Sequence, residues 1–268
     1  MKKIIAYCMV IFSCSYVYSQ GEIDAQNKIF YRNESTVAGL LNSTGMGINY
    51  RYAKRIDAFR KTTYEGGLAF IKHPKEVKIS TNTYPTSRSY VYGKINQFYA
   101  LRGGIGFQKE IFQKFDKGGI SIRYFYNAGL SMGMLKPIYY QVEYYSSDPN
   151  ALPQVKIEKF DLGQHTSATV IDGRASFFKG FNEIKVIPGI YGKLGVTFEF
   201  GNLDRIFNAI ETGIIIDAFP KKVQIMATES NNRIFFSLFL SYRFGKIINA
   251  QFKDNKTTKL DNIIDSNK

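Results

Sequence analysis

Between Ile234 and Phe244 every second residue is apolar, with Ile234, Phe236, Leu238, Leu240, Tyr242 and Phe244 on one face and Phe235, Ser237, Phe239, Ser241 and Arg243 on the other. A strand sends successive side chains to opposite sides, so a period of two marks extended chain with one apolar face, and no helical period reproduces it. The pattern returns from Ile120 to Ser131, where Ile120, Ile122, Tyr124, Tyr126, Ala128 and Leu130 oppose Ser121, Arg123, Phe125, Asn127, Gly129 and Ser131. A third copy sets Ile190, Leu194, Val196, Phe198 and Phe200 against Tyr191, Lys193, Thr197 and Glu199. Each run has about the 9–11 residues that a tilted membrane-crossing strand requires.

Five less regular runs, at 34–43, 45–54, 62–72, 98–108 and 208–218, bring the expected strands to eight. The expected fold class is therefore all-β, a transmembrane up-and-down antiparallel β-barrel of about eight strands over 34–245 with long extracellular loops. Connection lengths sort in the same sense. Those at 55–61, 109–118 and 201–207 are short, whereas 73–97, 132–188 and 219–232 are long. Short turns belong on the periplasmic side with both termini, and long loops belong outside. The tight connection at Ser43 and Thr44 is the exception, because it falls at a long-loop position.

Alternation does not by itself say which face is inside, since a soluble lipocalin-like barrel would bury the apolar one. Two features favour a polar lumen. The polar face carries Gly45, Gly47, Gly67, Gly104, Gly106, Gly195 and Gly213, which provide room for large side chains inside a narrow cylinder and would only weaken strands on a solvated surface. The same face holds Glu34, Glu65, Glu199, Glu211 and Asp217 with Arg51, Arg102, Arg123, Lys193 and Arg243. Five acids against five bases, in a chain of net charge +14, read as an internally paired network. An eight-stranded barrel is just wide enough for its own side chains to fill, so such a network would close it.

The N-terminus explains how the chain would leave the cytoplasm. Lys2 and Lys3 precede an apolar run from Ile4 to Phe12 and then a small-residue stretch through Ser13, Ser15 and Ser19, the layout of a signal peptide over 1–19. Cleavage after Ser19 leaves a segment at 20–33 before the barrel. The rival reading is a lipoprotein processed at Cys14, preceded by Ile11, Phe12 and Ser13. Under the first reading Cys8 and Cys14, the two cysteines of the chain, leave with the leader, so neither disulfides nor thiolate metal sites are expected. A polar stretch at 246–268 is expected to be a flexible periplasmic tail.

The stretches Tyr64-Glu65-Gly66 through Phe70-Ile71-Lys72-His73-Pro74-Lys75-Glu76, Val186-Ile187-Pro188-Gly189-Ile190-Tyr191-Gly192-Lys193, and the Tyr242-Arg243-Phe244-Gly245 ending resemble an uncharacterised family of small outer-membrane β-barrels of Bacteroidota. The resemblance runs over most of the mature chain and implies location and fold, with no activity attached to it.

Catalytic constellations are sparse. The two histidines, His73 and His165, fall in long connections, and neither spacing gives a metal cluster or a cofactor site. A possible rim site joins His73 to Glu76, with Ser80 or Ser87 as a hydrolase nucleophile; the plainer reading has His73 capping a strand end before Pro74. Basic clusters at Lys54, Arg55, Arg60 and Lys61, and at Lys72 and Lys75, suit the phosphates of outer-membrane lipids including lipopolysaccharide, and no nucleic-acid signature accompanies them. The alternating segment from Tyr139 to Tyr145 suggests a strand hairpin continuing above the membrane. The function expected is that of a closed barrel serving as a structural or accessory subunit of an outer-membrane assembly or secretion complex, with outer-membrane protein partners. A small pore or ligand carrier and a lipid A-modifying enzyme are the alternatives.

Overall fold

The computed structural model describes residues 32–80, 88–114, 119–144, 154–164, 171–200, 206–227 and 230–249. Thirteen strands follow in chain order: β1 Arg32–Asn42, β2 Gly45–Arg55, β3 Arg60–Ile71, β4 Lys78–Ile79, β5 Tyr90–Val91, β6 Asn96–Phe112, β7 Ser121–Pro137, β8 Tyr139–Tyr144, β9 Gln154–Lys159, β10 Ile171–Arg174, β11 Lys185–Phe200, β12 Ile206–Ala218 and β13 Ile234–Asn249. Eight of them form a closed antiparallel barrel in the ring order β1-β13-β12-β11-β7-β6-β3-β2. The seam between first and last strands runs from Arg32 opposite Asn249 to Asn42 opposite Phe239. Closure leaves no ladder edge unpaired, which removes the main hazard of an isolated sheet.

The eight alternating runs coincide with the barrel strands, and the differences lie at their ends. β6 and β7 reach 17 residues each and continue above the apolar stripe, paired as far as Asn96 opposite Pro137. β13 extends to Asn249, so the polar stretch expected as a tail from Lys246 begins inside a strand, paired with β1 and β12. The expected leader at 1–19, most of the segment 20–33, the rest of the expected tail and His165 lie outside the described residues.

Ser43 and Thr44 do form a two-residue turn at the long-loop rim. Its position is fixed by the neighbouring strand: the Ser43 amide donates to the Leu238 carbonyl at 2.8 Å, and Thr44 Oγ1 and Ser237 Oγ are 2.6 Å apart. Elsewhere that rim is built up. β8 pairs with β9 as a hairpin and with β10 on its other side, so the Tyr139–Tyr144 alternation is indeed strand. Tyr90, Ile138, Tyr140, Val142, Phe160 and Ile171 give this small sheet a core of its own.

Inside the barrel, glycines stand opposite bulk. A Cβ on Gly195 would come within 2.9 Å of the Phe125 ring, one on Gly104 within 2.7 Å of the Tyr191 hydroxyl, and one on Gly189 within 2.5 Å of the Phe219 ring. At Gly106 the same atom would meet Asn127 Oδ1 at 1.7 Å and the Tyr126 carbonyl oxygen at 2.1 Å. Gly106→Ala should therefore overpack the lumen and cost about 1–3 kcal/mol. Urea titration of the folded, heat-modifiable gel band checks this; an unchanged midpoint would mean that both Asn127 and the β7 backbone at Tyr126 have room to move.

Candidate functional site: the lumen and the long-loop rim

All ten charged residues assigned to the polar face point into the barrel and are buried there. The strands bring them together in three tiers. In the central tier Arg51 donates to Glu65 at 2.9 Å and to Glu211 at 2.6 Å, and Glu211 lies on β12, three strands away around the ring. Lys193 reaches Glu65 from β11 at 2.7 Å, while Arg243 lies 2.9 Å from Glu211 and donates to Asn49 at 2.7 Å. The amide groups of Asn49 and Asn127 each donate to Glu65 at 2.7 Å. Phe125 fills the space beneath, with the Arg51 guanidinium 4.4 Å from its ring centroid and the Lys193 ammonium 5.3 Å away. Bonds of this kind satisfy charges that would be costly if buried alone.

Toward the short-turn rim, Glu34 accepts from Arg123 at 3.0 Å and from Lys61, and Arg123 also pairs with Glu199, which Lys114 reaches at 3.1 Å. Toward the other rim, Arg102 makes a bidentate pair with Asp217 at 2.8 and 2.6 Å, joined by the Ser131 hydroxyl at 3.3 Å. A small void bordered by Asn49, Glu65, Arg102, Tyr191 and Lys193 is about 10 Å³, which is about the room one water needs.

Lys61 corrects the sequence reading. It sits beside Arg60 in a run of basic residues, yet it shares the inward parity of Thr63 and Glu65 and is buried against Glu34. Its place is in the lumen network rather than in a lipid-facing cluster. Arg55 is also occupied, its Nε donating to the Asp57 carbonyl at 2.9 Å, while Asp57 Oδ1 accepts the amides of Phe59 and Arg60. These bonds close the β2–β3 turn.

An apolar stopper covers the upper tier. Phe98, Phe219 and Phe235 pack ring to ring at centroid separations of 5.3 to 6.1 Å, and Val223, Ile225 and Met226 from the 219–232 connection complete the seal with Ile71 and Leu135. The connection is held down by its neighbours: the Ile95 and Asn96 amides both donate to the Ile225 carbonyl, and Lys94 bridges to Met226.

At the same rim His73 and Glu76 do meet, but through the backbone. The His73 amide donates to Glu76 Oε1 at 2.9 Å, while the other carboxylate oxygen pairs with Lys94 at 2.6 Å. The His73 ring is buried, with Nε2 3.1 Å from the Ser230 carbonyl and Nδ1 accepting from the Lys75 amide at 3.3 Å. Both ring nitrogens are thus engaged, Nδ1 within the 73–76 turn and Nε2 in tying that turn to the 219–232 connection. Burial pushes the Lys94 ammonium below the ordinary lysine pKa, and its pairing with Glu76 only partly offsets this. Ser87 lies outside the described residues.

The outer wall is apolar from strand to strand. Leu41, Ile48, Leu68, Leu101, Leu130, Leu194, Leu238 and Leu240 all face outward and exposed, Leu130 by 74%. Aromatic pairs stand at two levels of this wall: Phe70 with Tyr99 toward the long-loop rim, and Phe107 with Tyr126, Phe200 with Tyr242 and Tyr242 with Phe244 toward the other. An outer groove of about 750 Å³ runs below the Ser43–Thr44 turn, lined by residues of the same wall including Met46, Leu68 and Leu240.

No family model matches the chain, and no curated protein does so. Among solved structures, the chain is similar to Neisserial surface protein A (NspA), with 10% identity, 79% of this chain and 94% of that one covered, and a TM-score of 0.35. It is similar to Ail, the attachment invasion locus protein of Yersinia pestis, in complex with the heparin analogue sucrose octasulfate, with 6% identity, 81% and 99% coverage, and a TM-score of 0.36. It is also similar to the outer membrane enzyme PagL, with 11% identity, 78% and 97% coverage, and a TM-score of 0.34.

Proposed function

We propose that the chain is an integral outer-membrane protein with a closed lumen, serving as a structural or accessory subunit of an outer-membrane assembly or secretion complex. The observation that carries the membrane reading is the inversion of the barrel: charged residues buried inside, leucines and isoleucines exposed around the whole outer wall. In water that wall would be a very large contiguous apolar patch, whereas in a bilayer it is matched to its solvent. Two aromatic levels bounding the apolar band are what interfacial girdles require.

The filled lumen supports a role without transport. Its three ionic tiers and aromatic stopper obstruct the lumen from rim to rim, so purified protein in planar bilayers should give no steady conductance. Stable channels of constant size would overturn the closed-barrel part. The small β8–β9–β10 sheet, raised above the barrel with its own core, is a surface suited to holding a partner. Pull-down of the full chain from native membranes in mild detergent should recover a stoichiometric outer-membrane partner; recovery of the barrel alone would count against the subunit reading.

Orientation follows from loop length, long loops outside. A cysteine at the exposed position of Ser80 should react with an impermeant maleimide on intact cells. Labelling only after lysis would reverse the assignment.

A further inference from the structure

We infer that the turn joining β10 to β11 is a binding site for a phosphate-bearing acylated glycolipid of the outer leaflet, with Phe177, Phe178 and Phe181 seating acyl chains, exposed Lys179 taking the phosphate, and Lys136, buried beneath the rings, adding positive charge from below. This rests on the outer-membrane reading and assigns the lipid contact to one place on the rim.

The local chain folds to display the three rings. Ser176 accepts the Lys179 amide at 3.2 Å and Gly180 accepts the Glu183 amide at 3.2 Å, so two tight turns follow one another. Gly180 joins them with φ 90°, a left-handed conformation that glycine adopts without penalty, and a Cβ there would meet the Pro137 carbonyl oxygen at 2.8 Å. The result is a rosette: Phe177 and Phe178 centroids 5.8 Å apart, Phe177 and Phe181 5.4 Å, Phe178 and Phe181 6.3 Å. Phe178 is 79% exposed. A ring so placed gains by entering lipid, and an aromatic group with lysines beside it is suited to the headgroup boundary.

Its height on the barrel is given by Lys136. On β7 the outward file runs Leu130, Met132, Met134, Lys136, and Met134 is opposite outward-facing Val186 on β11. The rosette closes over the top of that file, with the Lys136 ammonium 4.7 Å from the Phe177 centroid and 4.9 Å from that of Phe181. Lys136 is only 3% exposed, and among the described residues no carboxylate is in ion-pair contact with it. Lys179 lies 4.9 Å from the Tyr139 ring centroid and likewise has no such carboxylate contact. Glu183 pairs directly with Lys159 and is shared more weakly with Lys179. Among the described residues, Lys136, Lys159 and Lys179 thus face one neighbouring carboxylate, Glu183, and this excess of cation at the upper edge of an apolar wall calls for an anion that is itself attached to hydrocarbon. That is the chemistry of a lipid phosphate and not of a free one.

The full chain in detergent would be titrated with bisphosphorylated lipid A, with the same lipid dephosphorylated, and with inorganic phosphate, following the temperature at which the folded gel band is lost. The expected order is bisphosphorylated well above dephosphorylated, with no saturable response to inorganic phosphate. Lys179→Gln and Lys136→Gln should each weaken the phosphorylated lipid about fivefold and leave the dephosphorylated one unchanged. Phe178→Ser should weaken both lipids alike. Each variant must first show the heat-modifiable band of the wild type, and Lys179 and Phe178 are exposed enough for that to be expected. Equal binding of the two lipids, wild-type affinity in both lysine variants, or saturable binding of inorganic phosphate would overturn the inference. A wild type that inserts into phosphatidylethanolamine vesicles yet shows no phosphate preference defeats this site alone, whereas one that inserts into no bilayer defeats the outer-membrane reading with it.

Discussion

Glu211→Gln should destabilise the barrel by about 3–5 kcal/mol, the cost of leaving buried charge without its partner. Glu211 is fully buried, takes bonds from Arg51 and the Thr197 hydroxyl, and has Arg243 Nε in ion-pair contact at 2.9 Å. The central tier sets three cations, Arg51, Lys193 and Arg243, against two carboxylates, Glu65 and Glu211. Removing one carboxylate by an isosteric amide leaves no cavity but faces three cations with Glu65 alone. Arg51→Met should cost less, because it leaves two cations to two carboxylates. Combining Arg51→Met with Glu211→Gln restores the original excess of one cation, so the double variant should be more stable than the sum of the single costs implies. Urea unfolding in vesicles measures all three. Additive losses would mean that the residues are held by packing around Phe125 and not by one another.

The same tier shows what a sequence can and cannot convey about such a site. Parity along each strand placed all ten charged residues in the lumen, because a period of two leaves no freedom once one face is known. It did not reveal that Asn49 and Asn127 bridge the carboxylates, since a neutral amide leaves no trace in a count of charges. Lys61 was hidden by its neighbours. Among Lys54, Arg55 and Arg60 it reads as part of a basic surface run, and only the start of β3 at Arg60 gives it the parity of Glu65. Phe219, Val223 and Ile225 were less legible still. They lie in a connection with no periodicity, and their partner Phe98 is more than a hundred positions earlier in the chain. The β8 strand could be read from its alternating tyrosines, whereas β10, with only four residues, is too short to carry a pattern. The rosette of Phe177, Phe178 and Phe181 depends on a glycine turn and on contact with Lys136, neither of which shows as a motif.

The outward face is where a single charge should be most telling. Leu240 is opposite Leu41 at the seam and opposite Thr212 on β12, and on the outward file of β13 it lies two positions below Phe236 and one above Tyr242. Leu240→Arg should cost about 2–4 kcal/mol, the penalty for arginine near the middle of a membrane barrel's lipid face. Leu238, one outward position higher, should be more tolerant. Its carbonyl accepts the Ser43 amide at the lowest point of the rim, so an arginine there can carry its guanidinium up to the headgroups along a short path. Ser241→Arg tests the opposite face. Ser241 is buried near Glu211, and an arginine would fail there by crowding, whatever surrounds the barrel. A soluble barrel of the same strand order would rank these substitutions differently, because Leu240→Arg on a watered wall should change stability by no more than about 0.5 kcal/mol. Folding into lipid vesicles, read from the heat-modifiable band, separates the two cases. A Leu240→Arg chain that inserts as well as wild type would remove lipid from the outer wall, and with it the membrane-facing role of every leucine on that stripe.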